Sequence, residues 1–223
     1  RMGLPWTKSL AIRSRLAVQG TLNAGIMALQ DGIAGNMAGG THHAMPDWGE
    51  GFCVYNDVAV AIKVLQQSMW INKALVIDCD VHQGNGTAEI FKNDDDVYTY
   101  SIHGEKNYPF KKPPSSLDVG LPDKTADKEY HRNLIESLDT VFREFKPDLV
   151  FYLGGIDPLE TDHFGRLSLS IKGLRERDRI VIEMVSKKEI PMVLLLSGGY
   201  APTLEETVIA LAQMFEVAKE LGY

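Results

Sequence analysis

Cysteine is scarce in this 223-residue chain, which carries only Cys53 and Cys79. Neither belongs to a C-x-x-C pair, so a thiol zinc finger, a redox dithiol and a disulfide framework are excluded as organising chemistry. No apolar run approaches the roughly 20 residues that span a bilayer, and no secretory signal is visible. Lys and Arg nowhere cluster, and the net charge is −7. The basic face through which proteins grip nucleic acid is therefore not expected, and neither is a membrane partner. Internal repeats and low-complexity stretches are also missing. The expected location is a reducing compartment, the cytoplasm, or the nucleus if the source is eukaryotic.

What is present suits one globular unit. A hydrophobic content of 44% is enough for a single core at this length, and no linker interrupts residues 1–223. Helical periodicity runs from Thr7 to about Gln30, over Asn56–Gln67, in a short stretch at Thr87–Phe91, and over Ala126–Phe145, Ile171–Val185 and Leu204–Leu221. Continuous Val/Leu/Ile runs at Ala74–Ile77, Leu149–Leu153 and Met192–Leu196, with an alternating one at Val97–Ile102, read as strands. Gly and His punctuate residues 32–51, and Pro and charge clusters mark 105–124 as a long loop. Strands alternating with helices predict an α/β fold, a mainly parallel sheet covered on both faces.

The densest polar signal is LVIDCDVHQGNGT at 75–87. An apolar strand breaks into Asp78, Asp80 and His82 at alternate positions, which places all three on one side of an extended chain. Gathering two carboxylates and an imidazole in a buried place calls for a cation among them, and both residue types are ordinary zinc ligands. A D-x-D after a strand equally suits one Asp capping a helix and the other facing water. Asp157 follows an apolar strand and Gly154-Gly155; it reads as a third ligand or as a helix cap before Pro158. His42-His43 reads as a pair of proton carriers or as an exposed polar loop. Tyr200, after Ser197-Gly198-Gly199, reads as an oxyanion donor or as a packed aromatic. The clusters at 78–82, 154–157 and 197–200 each follow the carboxyl end of a predicted strand, the edge where α/β sheets bind ligands.

GGTHHA, GEGFCVYND, IDCDVHQGNGT, YSIHGEKNYPF, GGIDPLETDHFGRLSLS and LSGGY, in this order, resemble the histone deacetylase family from about Leu4 to the C-terminus. His82-Gln83-Gly84-Asn85-Gly86 is most similar to the class IV branch and its bacterial relatives. The resemblance implies an arginase/deacetylase-like fold and a zinc-dependent hydrolase acting on acyl-lysine in proteins, with acetylated polyamines, or mere acyl-lysine binding, as alternatives. It implies zinc ligands at Asp80, His82 and Asp157, and general acid/base histidines at His42 and His43. Asp78 matches the holder of His42, and Asn85 stands where class I members use a second carboxylate to hold His43. Tyr200 matches the oxyanion donor. Gly51, Phe52, Tyr108 and Gly155 match substrate-binding positions, Phe52 and Tyr108 as aromatic tunnel walls. Asp78, Asp80, His82, Ser101 and Ile102 match a structural potassium site. The family's domain usually begins several dozen residues before the equivalent of Leu4, so an N-terminal portion is expected to be lacking.

Rival readings fit less well. A dinuclear arginase-like centre needs further carboxylates where Gly84 and Leu159 stand. A phosphatase with a nucleophilic strand-end Asp leaves His42, His43 and Tyr200 without work. A nucleotide loop at Gly84-Asn85-Gly86 has Glu89 where its third glycine belongs.

Overall fold

A computed structural model describes residues 2–223. Twelve elements follow one another: α1 (Lys8–Asp31), β1 (Ile33–Asn36), α2 (Asp57–Gln67), β2 (Ala74–Asp78), α3 (Asn85–Phe91), β3 (Val97–Gly104), β4 (Leu117–Leu121), α4 (Asp127–Glu144), β5 (Leu149–Leu153), α5 (Ile171–Ser186), β6 (Met192–Leu195) and α6 (Leu204–Glu220). The strands form one sheet in the order β1-β6-β5-β2-β3-β4, and every pair is parallel. The expected covered parallel sheet is what forms.

Burial on both faces explains the continuous apolar runs. Leu75, Ile77, Val150, Tyr152 and Leu194 pack with Leu134 and Leu138 of α4, Leu174 and Val181 of α5 and Met214 and Val217 of α6. Their neighbours Val76, Phe151, Leu153, Val193 and Leu195 pack on the opposite face against Ala24 and Ala28 of α1 and Ile62 and Leu65 of α2. Alternate residues thus feed two cores, leaving no polar face in β2 or β5. Helix α1 approaches closely because it is small where it is buried: a Cβ on Gly25 would come 2.9 Å from Leu65 Cδ1. Side chains at Thr7, Asn56, Ser170 and Thr203 accept backbone N–H groups and start four of the helices.

Two strands depart from the sequence reading. β1 lies in the Gly- and His-punctuated stretch given no element and β4 inside the expected loop, and both are sheet edges. Ile33-Ala34-Gly35-Asn36 has no fully buried residue and β4 has only Leu121. Their strand character comes from the ladders offered by β6 and β3, not from their own pattern.

The topology makes the crevice. From β2 the chain steps outward through β3 to β4, then returns to the other side of β2 with β5 and continues outward to β6. The carboxyl ends of β2 and β5 therefore flank a switch point, where connections leave in opposite directions and open a cleft.

Candidate active site

Strand β2 ends at Asp78, so Asp80 and His82 do not belong to an extended strand. The expectation of simple strand alternation is corrected here. Asp78 Oδ1 accepts the Asp80 N–H at 3.1 Å and Asp80 Oδ1 accepts the His82 N–H at 3.0 Å. Each carboxylate thus closes a turn onto the residue two positions on, and these turns set the side-chain directions.

Asp157 enters from beyond β5. Its Oδ1 accepts the Val81 N–H at 2.8 Å, which fastens the β5 loop to the β2 loop. His82 Nδ1 lies 3.1 Å from both Asp80 Oδ1 and Asp157 Oδ2. Asp80 Oδ2 accepts Ser197 Oγ–H at 2.9 Å and the Gly198 N–H at 3.0 Å, tying in the end of β6. One ligand atom from each of Asp80, His82 and Asp157 lies within 4.8 Å of the others. Two buried carboxylates and one imidazole so converged fit a zinc ion, and three protein ligands leave a coordination position free.

The tandem histidines sit beside this triad with their ring centroids 4.0 Å apart. Asp57 at the start of α2 accepts the N–H groups of Gly40 and Thr41, at 3.0 and 2.7 Å, and fixes the loop that carries them. Thr21 and Thr41 also donate hydroxyls to Asp57. His42 Nδ1 pairs with Asp78 Oδ2 at 2.6 Å, and His43 Nδ1 pairs with Asn85 Oδ1 at 2.6 Å.

The two imidazoles are pushed apart electrostatically. Burial disfavours charge on His42, but Asp78 and Asp80 outweigh it and raise its pKa to about 9. Burial, reinforced by the charge of His42, drives His43 well below the usual histidine range. The two rings are thus biased in opposite directions, His42 toward the imidazolium and His43 toward the neutral form. Burial also opposes charge on His82, yet hydrogen bonds to Asp157 and Asp80 raise it to about 10. Asp157 rises to about 7 through burial and the Asp80 carboxylate beside it. Burial pushes Asp80 upward, but His42 and His82 hold it well below the ordinary carboxylate value.

Tyr200 is 43% exposed. Asp162 Oδ2 accepts its backbone N–H at 2.5 Å, and Asp162 Oδ1 accepts the N–H groups of Phe164 and Gly165. Burial and the carboxylates of Asp157 and Asp80 raise the phenol pKa, so the hydroxyl keeps its proton. Phe52 and Phe164 face the Tyr200 ring edge-on, with centroids 6.3 and 5.1 Å away. Tyr108, from the β3–β4 connection, meets the His43 ring at 5.1 Å. Gly51 (φ 53°) and Phe52 (φ 64°) are both left-handed, and any Cβ on Gly51 would strike the His43 ring.

The other expected positions lie deeper. A Cβ on Gly155 would come 2.6 Å from Asp80 Oδ2, so Gly155 lies directly against that carboxylate. Ser101 is the β3 partner of Asp78, and its hydroxyl pairs with His103 Nδ1 at 2.9 Å. Ile102 is fully buried in the core.

Sequence reasoning passed over Asp57, Asp162 and Glu50. Glu50 accepts from Trp48 Nε1 at 2.8 Å, from Asn85 Nδ2 at 3.1 Å and from the Tyr108 hydroxyl. Asp57 follows the cap residue Asn56, the one local hint that a carboxylate begins α2 there.

A histone deacetylase domain profile matches residues 2–215. The chain belongs to the histone deacetylase family. An uncharacterized protein of Picosynechococcus is 40% identical over 221 residues, which cover 99% of this chain and 74% of that relative. Histone deacetylase 2 of Arabidopsis thaliana is 36% identical over 189 residues, covering 83% of this chain and 49% of the plant protein. The crystal structure of a histone deacetylase homolog from Aquifex aeolicus superposes with a TM-score of 0.77 at 28% identity, covering 93% of this chain and 61% of that one. The chain thus spans about half the length of its plant family member.

Proposed function

We propose that this member of the deacetylase family is a zinc-dependent amidohydrolase that removes an acetyl or longer acyl group from the side-chain amine of lysine in proteins. The observation that carries the reading is the convergence of Asp80, His82 and Asp157 from two separate strand ends onto one point, next to two histidines of opposite protonation tendency. Asp80, His82 and Asp157 hold the zinc, which when bound supplies Lewis acidity to an acyl oxygen and to a water molecule.

The chain's own groups do the rest. His43, neutral and oriented through Nδ1 by Asn85, takes the proton of the attacking water on Nε2. His42, kept charged by Asp78, supplies positive charge beside the developing oxyanion. Tyr200 donates its retained phenolic proton in a hydrogen bond to that oxyanion. The protonated His43 then gives its proton to the leaving amine. Phe52 and Tyr108 flank an apolar stem, as an acyl-lysine side chain has, and the Gly51 carbonyl accepts the substrate amide N–H. Gly155 backs Asp80 at the tunnel floor. A structural potassium ion at Asp78, Asp80, His82, Ser101 and Ile102, membership of the class IV branch, and a cytoplasmic or nuclear location rest on the resemblance.

The test is a series of acyl-lysine peptides of increasing chain length beside acetylated polyamines, assayed with chelator and after zinc is restored. Zinc-restored hydrolysis of the peptides is expected. Preference for the polyamines would replace the substrate class, and hydrolysis indifferent to chelation would end the zinc reading.

A further inference from the structure

Beneath the zinc-binding loops lies a charge that the proposed reaction does not use. Arg177, on α5, is 1% exposed, and Asp178 beside it is 2% exposed. The guanidinium has five N–H groups, and all five have acceptors. Nε and Nη2 donate to Asp178 Oδ1 at 3.0 and 2.8 Å. Nη2 also donates to the Gly154 carbonyl at 3.1 Å. Nη1 donates to the carbonyls of Gly155 and, at 3.4 Å, Cys79. The Tyr152 hydroxyl completes the Asp178 carboxylate at 2.5 Å.

Those three carbonyls lie just past the ends of β2 and β5. Cys79 immediately precedes Asp80, and Gly155 stands two residues before Asp157. We infer that Arg177 is a positioning residue for the metal-binding loops: its planar fork bridges the two strand ends and sets the spacing of the Asp80 and Asp157 carboxylates.

A purely stabilising role explains the pair poorly. A buried ion pair seldom outperforms apolar residues of the same volume, because desolvation offsets the attraction. The surroundings, which include Tyr130 and Tyr152, belong to the apolar core and could have accommodated such residues. What an apolar replacement cannot supply is three donated hydrogen bonds at fixed angles to two different strands. Lysine cannot supply them either, since its ammonium is a compact point charge without the fork.

This inference rests on the zinc reading, so the experiment measures metal binding, not turnover alone. Zinc affinity is determined by chelator competition for wild type and Arg177→Lys, together with the visible absorption of the cobalt-substituted proteins and their urea unfolding. The expected result is cooperative unfolding, a zinc Kd raised 10–100-fold, the range typical when a group supporting metal ligands is lost, and an altered cobalt spectrum. A folded Arg177→Lys protein with wild-type zinc affinity and cobalt spectrum overturns the inference. If Arg177→Lys does not fold, Asp178→Asn, which keeps the guanidinium but removes its counter-charge, is measured instead; a several-fold weaker zinc affinity supports the role and an unchanged one refutes it. A wild-type protein that binds no zinc defeats the metal reading itself, and the positioning role falls with it.

Discussion

Asn85 holds His43 through its carbonyl oxygen, 2.6 Å from His43 Nδ1, because its amide nitrogen is directed to Glu50 Oε1 at 3.1 Å. A carboxylate only accepts hydrogen bonds, so Glu50 decides which way the Asn85 amide faces. The amide in turn decides the His43 tautomer, with the proton on Nδ1 and the lone pair on Nε2. The negative charge that a carboxylate at position 85 would bring next to His43 is displaced one residue outward, to Glu50.

Replacing Asn85 by Asp tests that arrangement. A carboxylate against His43 favours the imidazolium, on the order of one pK unit upward. A general base works only when deprotonated, so the acid limb of the kcat/KM profile moves to higher pH by a similar amount. The new carboxylate also faces Glu50 and lowers the urea midpoint. Adding Glu50→Gln restores stability and keeps the displaced limb. An acid limb that stays in place in Asn85→Asp would remove His43 from the base role.

Tyr200→Phe removes a single hydroxyl from a partly exposed residue. Loss of one oxyanion donor lowers kcat by about 10²–10³-fold. The Asp162 bond to the Tyr200 backbone N–H survives the change, so the loop and the zinc content are expected to stay as they are. Turnover and metal analysis on the same preparation check both halves. Near-normal kcat would transfer the donor role to another group.

The legible parts of this molecule were those whose cause is local. Leu149–Leu153 is buried at every position, and a chain that must satisfy two cores shows it as an unbroken apolar run. The convergence of the candidate ligands was legible because Asp80, His82 and Asp157 each follow such a run, and because the motifs keep a family's order. Edge strands hid for the opposite reason: Gly35 pairs with Leu194, and only that partner makes it a strand. Asp57 and Glu50 were missed because their partners lie far along the sequence, Thr21 and Gly40 for one and Asn85 and Tyr108 for the other. Arg177 is the extreme case, a residue in the middle of a charged helical stretch whose neighbours, Glu176 and Arg179, are surface groups while it is fully buried.

If Asp80, His82 and Asp157 hold zinc as proposed, protons compete with the metal there. His82 holds its proton up to about pH 10 and Asp157 up to about 7, whereas a ligand must be deprotonated. Zinc binding at pH 7 therefore releases protons, and affinity rises about tenfold per pH unit for each proton displaced. The same groups set the stability of the chelated protein. Raised values for His42, His82 and Asp157 mean that the folded state binds more protons than the unfolded one. The stabilisation from the histidines is complete below their ordinary value near 6.5 and is lost as pH rises through 9 to 10. Chelated protein is thus expected to lose urea resistance as pH rises from about 6.5 to about 10, and zinc-loaded protein to lose less. Calorimetry in buffers of different ionisation heat counts the protons; a zinc affinity flat with pH contradicts the assigned ligands.

Gly198 offers the sharpest steric test of the converged carboxylates. A Cβ there would lie 2.9 Å from Asp80 Oδ2 and 3.0 Å from Asp157 Oδ2, tighter than ordinary van der Waals contact. Unlike Gly199, whose φ is 144°, Gly198 is not among the left-handed residues, so alanine brings little backbone strain. Its methyl pushes two ligand oxygens at once while the hydrophobic cores are untouched. Gly198→Ala is therefore expected to keep its thermal unfolding in the chelated state within a few degrees of wild type and to bind zinc at least tenfold more weakly, the scale of a disturbed ligand shell. Chelator competition and unfolding scans with and without zinc separate the two effects. Equal zinc affinities in the variant and the wild type would mean that these two oxygens do not hold the ion.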